Sequence, residues 1–214
     1  PAGQAEDAKA LAETWWAEVP PTLAADPGAK LTFTLKGTQR LPALTPEDGS
    51  RFLRLLDEMP SGVQAMSREL PDVVETSANI GILCLKEAEG CITVSVRSSI
   101  NQVWQKMMED MEATAKSFGA SYRAYGAYSA WEYKEDSVLR PLVAALYQEL
   151  TGRDAKIETT HGGLECGLFS EKMPGLDSVS VGPDLQEVHT PRERMSIASV
   201  QRTWAFLLKI LERL

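Results

Sequence analysis

The spacing of apolar positions along the chain divides it into recognisable elements. In AEDAKALAETWWAEV they recur at helical intervals and stop at Pro20 and Pro21, which predicts a first helix. LTFTLKG then alternates Leu31, Phe33 and Leu35 against Thr32, Thr34 and Lys36, the period of a half-buried strand. In TPEDGSRFLRLLDEMP, Thr45 can cap, Pro46 suits the first helical position and Pro60 closes a second helix. ETSANIGILCLKEA and GCITVSVRSS are rich in β-branched and apolar residues and flank a short turn around Glu89 and Gly90, which predicts a hairpin. NQVWQKMMEDMEATAKSFG places Val103, Met107, Met111 and Phe118 on or near one helical face and stops at Gly119, and SYRAYGAY reads as a further strand. Residues 30 to 128 thus spell strand, helix, strand, strand, helix, strand, the βαββαβ order of a ferredoxin-like sandwich.

After the polar stretch WEYKEDS the pattern changes. SVLRPLVAALYQELTG predicts a helix ending at Gly152, AKIETT a short strand, GGLECGLFSEKM a helix, LDSVSVG a strand, and SIASVQRTWAFLLKILERL a final helix beyond a loop. Strands alternating with helices imply parallel βαβ pairing, and a parallel strand needs neighbours and cover on both faces. Two such strands are too few. The expected class is therefore α/β: an α+β domain over residues 1–130, then residues 131–214 as the βαβ-α edge of a larger domain, with the chain a fragment of a longer protein.

Composition narrows the function classes. A chain of 214 residues, 43% hydrophobic, can bury a core and lacks the mark of disorder. Its net charge of -8 argues against nucleic acid or an anionic membrane as the main partner, because both would be repelled. No apolar run approaches the ~20 residues of a spanning helix, and PAGQAEDAKA has neither the basic start nor the apolar core of a secretory signal, so a cytoplasmic protein is expected. Three cysteines, an odd number, fit a reducing compartment. Cys84 and Cys91 lie on either side of the hairpin turn and are read as small apolar fillers, with a disulfide as the alternative.

The densest chemistry is in HGGLECGLF, residues 161–169. His161 stands at a strand end, and Gly162 and Gly163 open the following helix, where bare backbone can approach a ligand and N–H groups point at anions. A plain strand-to-helix turn would use the same glycines. Cys166 beside His161 suggests a thiol nucleophile with its base, yet a cysteine in the first turns of a helix is more often packed against a sheet. Glu165 fits a general base, a hydrogen-bond acceptor or a solvated helix residue equally. His189 lies in the loop before the last helix, where open α/β sheets place their ligands, but one imidazole does not make a zinc site, which wants about four donors. Arg97 interrupts an apolar strand at its end, where a guanidinium can fork onto a carboxylate or simply guard an exposed edge.

Taken together, VETSxNxG, VRS, HxGLECG and GPxxxxxHxP, in that order, resemble the aminoacyl-histidine (Xaa-His) dipeptidases of the dinuclear zinc aminopeptidase and carboxypeptidase family, from about Leu31 onward. In that family a catalytic α/β domain holds two zinc ions and an inserted ferredoxin-like lid serves substrate binding and dimerisation. The resemblance implies that residues 1–130 are the lid and 131–214 the C-terminal segment of the catalytic domain, that His189 is the last zinc ligand, that Gly163 offers backbone contact to substrate, and that Arg97 binds the dipeptide's terminal carboxylate. Glu165 and Cys166 become helix residues behind the turn. The family's other ligands and its paired glutamates belong to an N-terminal segment whose motifs do not occur here, so these residues by themselves are expected to be inactive, with zinc, a dipeptide, a second copy and that missing half as partners. The alternative is a non-catalytic binding or dimerisation module with a ferredoxin-like fold.

Overall fold

A computed structural model describes residues 4–19, 28–34, 37, 43–86, 89–160 and 162–214. The chain divides into two compact units, residues 1–44 and 45–214. In the first, helix α1 (Ala5–Glu18) forms where the apolar spacing places it and buries no side chain. Residues 31–34 carry no hydrogen-bonded ladder; Leu35 and Lys36 of the same expected strand, like Pro20 and Pro21, lie outside the described residues.

The second unit begins with helix α2 (Pro46–Glu58), whose Thr45 side chain accepts the Asp48 N–H at 3.1 Å. Strands β1 (Gly62–Met66), β2 (Val74–Leu85) and β3 (Gly90–Ser98) follow as an antiparallel sheet in the order β1-β2-β3. The expected hairpin is β2–β3. Register runs from Thr76 opposite Ser98 to Leu85 opposite Gly90, with one shift between Ile80 and Ile82, so Gly81 sits at a bulge, a place that glycine often marks. Inward positions are set by Thr76, Ala78 and Ser98, all buried, and by Gly90, where a Cβ would press on the Phe52 ring of α2. Helix α3 (Asn101–Ser117) contributes Met111 and Ala115 to the core.

Two features depart from the expected βαββαβ order. β1 was not anticipated, because Val63 and Ala65 are too few to set a period. Conversely, residues 121–128 carry no ladder, so the sheet is a three-stranded meander among the described residues. Alternation signals an extended backbone with two unlike faces; pairing depends on what lies alongside.

The remainder holds helices α4 (Leu139–Thr151), α5 (Glu165–Lys172) and α6 (Ile197–Leu211). Gly152 caps α4 with left-handed φ 69°, as its position after the last turn demands. The core here is Val143, Leu146 and Ile210, joined by half-buried neighbours such as Phe206, whose ring meets Tyr147 edge-on at 5.7 Å. Residues 155–160 and 176–182, expected as parallel strands, have no ladder partners among the described residues. A two-residue pair, β4 (Leu185–Gln186) with β5 (Arg194–Met195), closes the loop before α6.

Candidate functional site

The VETS and VRS motifs meet across β2 and β3. Thr76 lies opposite Ser98, and their buried hydroxyls are 2.9 Å apart. Ser98 Oγ also accepts the Ile100 N–H at 3.1 Å, tying the strand end to the start of α3. The adjacent pair, Ser77 opposite Arg97, points to the other face of the sheet, away from the helices, and Arg97 is exposed there. The motif thus makes one face a locked structural joint and leaves a guanidinium free to fork on the other.

The HGGLECG turn is shaped by close packing. His161 lies outside the described residues. The Gly162 N–H donates to Thr160 Oγ1 at 3.0 Å. At Gly163 a Cβ would come within 2.9 Å of the Tyr128 ring, so this glycine lets an aromatic face lie on the backbone. Gly167 is tighter: a Cβ there would collide with the Ser129 carbonyl oxygen. Cys166 and Glu165 occupy the first turn of α5, the one half-buried and the other exposed.

The partner of both glycines is a strap, residues 128–132, stitched on both sides. The Ala130 N–H donates to Asn101 Oδ1 at 2.9 Å, and Glu132 Oε1 accepts the Asn101 N–H at 2.8 Å, placing a carboxylate at the N-terminus of α3. On the other side the Ser129 hydroxyl donates to Glu171 of α5. Sequence reasoning missed Tyr128, Asn101 and Glu132, since none belongs to a local motif.

A cleft of about 380 Å³ is lined by residues 155–160 and 176–181, by Tyr147 and Phe206, and by Trp131 and Glu132 of the strap. Asp177 reaches from its wall to the start of α4, accepting from Ser137 Oγ at 2.7 Å and from the Val138 and Leu139 N–H groups at 2.8 Å each. Burial acts to raise the Asp177 pKa, but hydrogen bonds from Leu139, Ser137 and Val138, with the Lys134 charge, outweigh it and hold the carboxyl below its ordinary 3.8. The neighbouring Ser178 hydroxyl is buried with no hydrogen-bond partner among the described residues.

His189 is presented by the loop between β4 and β5. Its backbone is left-handed, φ 65°, as is that of Glu187 at 52°, a conformation uncommon outside glycine and concentrated at functional sites. The loop is held by its own side chains. Glu187 accepts from Arg192 Nε at 2.6 Å and from Arg194 at 2.7 Å, while the His189 N–H donates to Glu193 Oε2 at 2.7 Å. The imidazole itself stands exposed.

Arg97, Gly163 and His189 therefore sit on three different elements, and the cleft beside the strap is lined by none of them. Among the described residues no three or more His, Cys, Asp or Glu side chains gather as a metal site, so His189 offers one donor of the about four that zinc takes. No described helix is long and apolar enough to cross a membrane.

No family model matches the chain. A cytosol non-specific dipeptidase of Escherichia coli is 34% identical over 172 residues, covering 80% of this chain and 36% of that protein. The crystal structure of an aminoacylhistidine dipeptidase from Vibrio alginolyticus superposes with a TM-score of 0.85 at 29% identity, covering all of this chain and 44% of that one. The chain thus spans less than half the length of the relatives it matches. It is similar in sequence to a cytosol non-specific dipeptidase and in fold to an aminoacylhistidine dipeptidase, over part of the length of each.

Proposed function

We propose that the chain is the lid and the C-terminal catalytic segment of a cytoplasmic, zinc-dependent dipeptidase acting on Xaa-His substrates. Residues 1–130 serve as the lid and dimerisation domain, with a ferredoxin-like core over about residues 30–128, and residues 131–214 belong to the catalytic domain. The observation that carries this reading is the pairing of VETS with VRS, which makes Arg97 the exposed end of a buried joint.

In this reading the Arg97 guanidinium takes the substrate's terminal carboxylate in a two-pronged hydrogen bond, fixing which end of the dipeptide faces the catalytic domain. Gly163 offers its backbone to the substrate beside the Tyr128 ring. His189 would supply one imidazole nitrogen to a zinc ion, and the braced 187–194 loop fixes the backbone from which that imidazole projects. A zinc ion held by His189 together with further ligands would supply a water of lowered pKa and a charge to polarise the scissile carbonyl. The remaining ligands and the general base come from an upstream half. Two observations favour such a partner: the cleft between the unladdered segments 155–160 and 176–181, and an exposed apolar stripe of Ile197, Val200, Trp204, Leu207 and Leu211 along α6.

Calorimetric titration of zinc into the metal-free chain tests this. Weak binding, lost in His189→Ala, is expected, together with no hydrolysis of an Xaa-His dipeptide by the chain alone. Two tight equivalents, binding that ignores His189→Ala, or turnover by the isolated chain would overturn the proposal.

A further inference from the structure

Cys84 and Cys91 are directly opposite each other in the β2–β3 ladder, and both thiols are free. Counting back from the inward pairs Leu85 with Gly90 and Leu83 with Ile92, the cysteine pair belongs to the outward face, the face that also carries Arg97. Cys91 is exposed and Cys84 half-buried, so neither fills the core as their apolar surroundings in the sequence suggest.

The ladder brings the two cysteines within reach of each other. The Lys86 N–H donates to the Glu89 carbonyl at 2.8 Å, and hydrogen-bonded pairs in an antiparallel ladder recur every two residues. Cys84 and Cys91 are therefore a hydrogen-bonded pair, for which the Cα separation is about 5.5 Å, inside the disulfide range of about 4.4–6.8 Å. Their Cβ atoms, ordinarily about 4.5–5.5 Å apart in such a pair, need to close to about 3.8 Å. Closing that gap requires added twist at the hairpin end, and two-stranded ribbons are the part of a sheet that twists most freely.

We propose that Cys84 and Cys91 form a reversible oxidative modification site, a vicinal dithiol that closes to a cross-strand disulfide by exchange with a small-molecule disulfide. The Cys91 thiolate, the more exposed, attacks one sulfur of the oxidant and displaces one small thiolate. The Cys84 thiolate then attacks the Cys91 sulfur of the mixed disulfide, forming the Cys84–Cys91 bond and releasing the second small thiol. The pair gives up two electrons and two protons, and the small disulfide takes them up to leave as two thiols. The product pins the tip of the hairpin on the sheet face that bears Arg97.

The test is to equilibrate the whole chain, as Cys166→Ser, in glutathione buffers of rising oxidised fraction, quench with an alkylating agent and weigh it. Both alkylatable thiols should be lost together, with a mass drop of two hydrogens, a proteolytic peptide pair joined through Cys84 and Cys91, and no change in migration as a monomer. The double variant Cys84→Ser, Cys166→Ser should instead accumulate a glutathione adduct on Cys91. A lasting glutathione adduct when both cysteines are present, thiols that stay alkylatable in the most oxidising buffer, or links between two chains would overturn the proposal.

Discussion

Between Gly62 and Ser98 every strand has a neighbour, whereas neither extended segment between Ala155 and Gly182 has one among the described residues. The sheet is antiparallel and its connections are short, so consecutive segments complete one another. In residues 131–214 the helices form in place, but the two segments that the sequence reads as parallel strands carry no ladder among the described residues, and a parallel strand needs neighbours to pair with. What holds this second region is a small core around Val143, Leu146 and Ile210 and a few polar stitches reaching across the chain. A local pattern suffices for the first region, while the second depends on contacts with segments far away in sequence.

The sharpest way to break this contrast is to open the packing between α5 and the strap. Gly167→Val sets a branched side chain against the Ser129 backbone, which cannot yield as a side chain can. Overpacking of this kind costs about 3 kcal/mol, or a fall of about 10 °C in melting temperature for a chain of this size. If α5 is a loosely attached edge, thermal melts will show almost no loss, and the strap is not the joint that its hydrogen bonds suggest.

Asp177 comes next. Asp177→Ala removes the acceptor for three groups at the start of α4 and should cost about 1–2 kcal/mol, the range of a lost helix cap. The charge has a pH signature. Because its folded pKa is depressed, the stabilisation is complete above the unfolded value near 3.8 and is lost as pH falls through the lower folded value. Urea midpoints measured downward from pH 5 should therefore decline more steeply in the parent chain than in Asp177→Asn. Parallel curves would mean that the carboxylate is not bound as described.

That cap also marks where sequence reading reaches its limit. Thr45 before Pro46, and Gly152 after α4, announce their helix ends within a few residues, and all six helices were legible from such signals and from apolar spacing. Asp177 and Glu132 cap helices from 38 and 31 positions away, a distance that no local pattern encodes. Of the expected strands, only β2 and β3, joined by a tight turn, carry a ladder among the described residues. The site shows the same division. Arg97 and His189 stood out as charged or imidazole groups at element ends, while Tyr128 and the carbonyl that forces Gly167 came into view only through packing.

Within the self-contained sheet, Thr76→Val keeps the shape and removes the hydroxyl facing Ser98. Ser98 retains its contacts with Ile100, so the loss should be about 1 kcal/mol, smaller than for either change in the C-terminal region. A larger loss in chemical denaturation would shift the comparison, making the Thr76–Ser98 joint the weak point of the sheet.

Arg97→Ala should have the smallest effect on folding and the most specific effect on binding. The residue is exposed on the outward face, so its removal is expected to change stability by no more than about 0.5 kcal/mol. A charge-assisted hydrogen bond to a substrate carboxylate is worth about 1.5–3 kcal/mol, which corresponds to roughly a ten- to hundredfold weakening of dipeptide binding. The readout is KM for an Xaa-His dipeptide in the full-length enzyme, with Arg97→Lys as the control that keeps the charge and loses the fork. Unchanged KM alongside an unchanged melt would leave Arg97 as an edge guard, and the outward face of the sheet would no longer be the substrate-facing one.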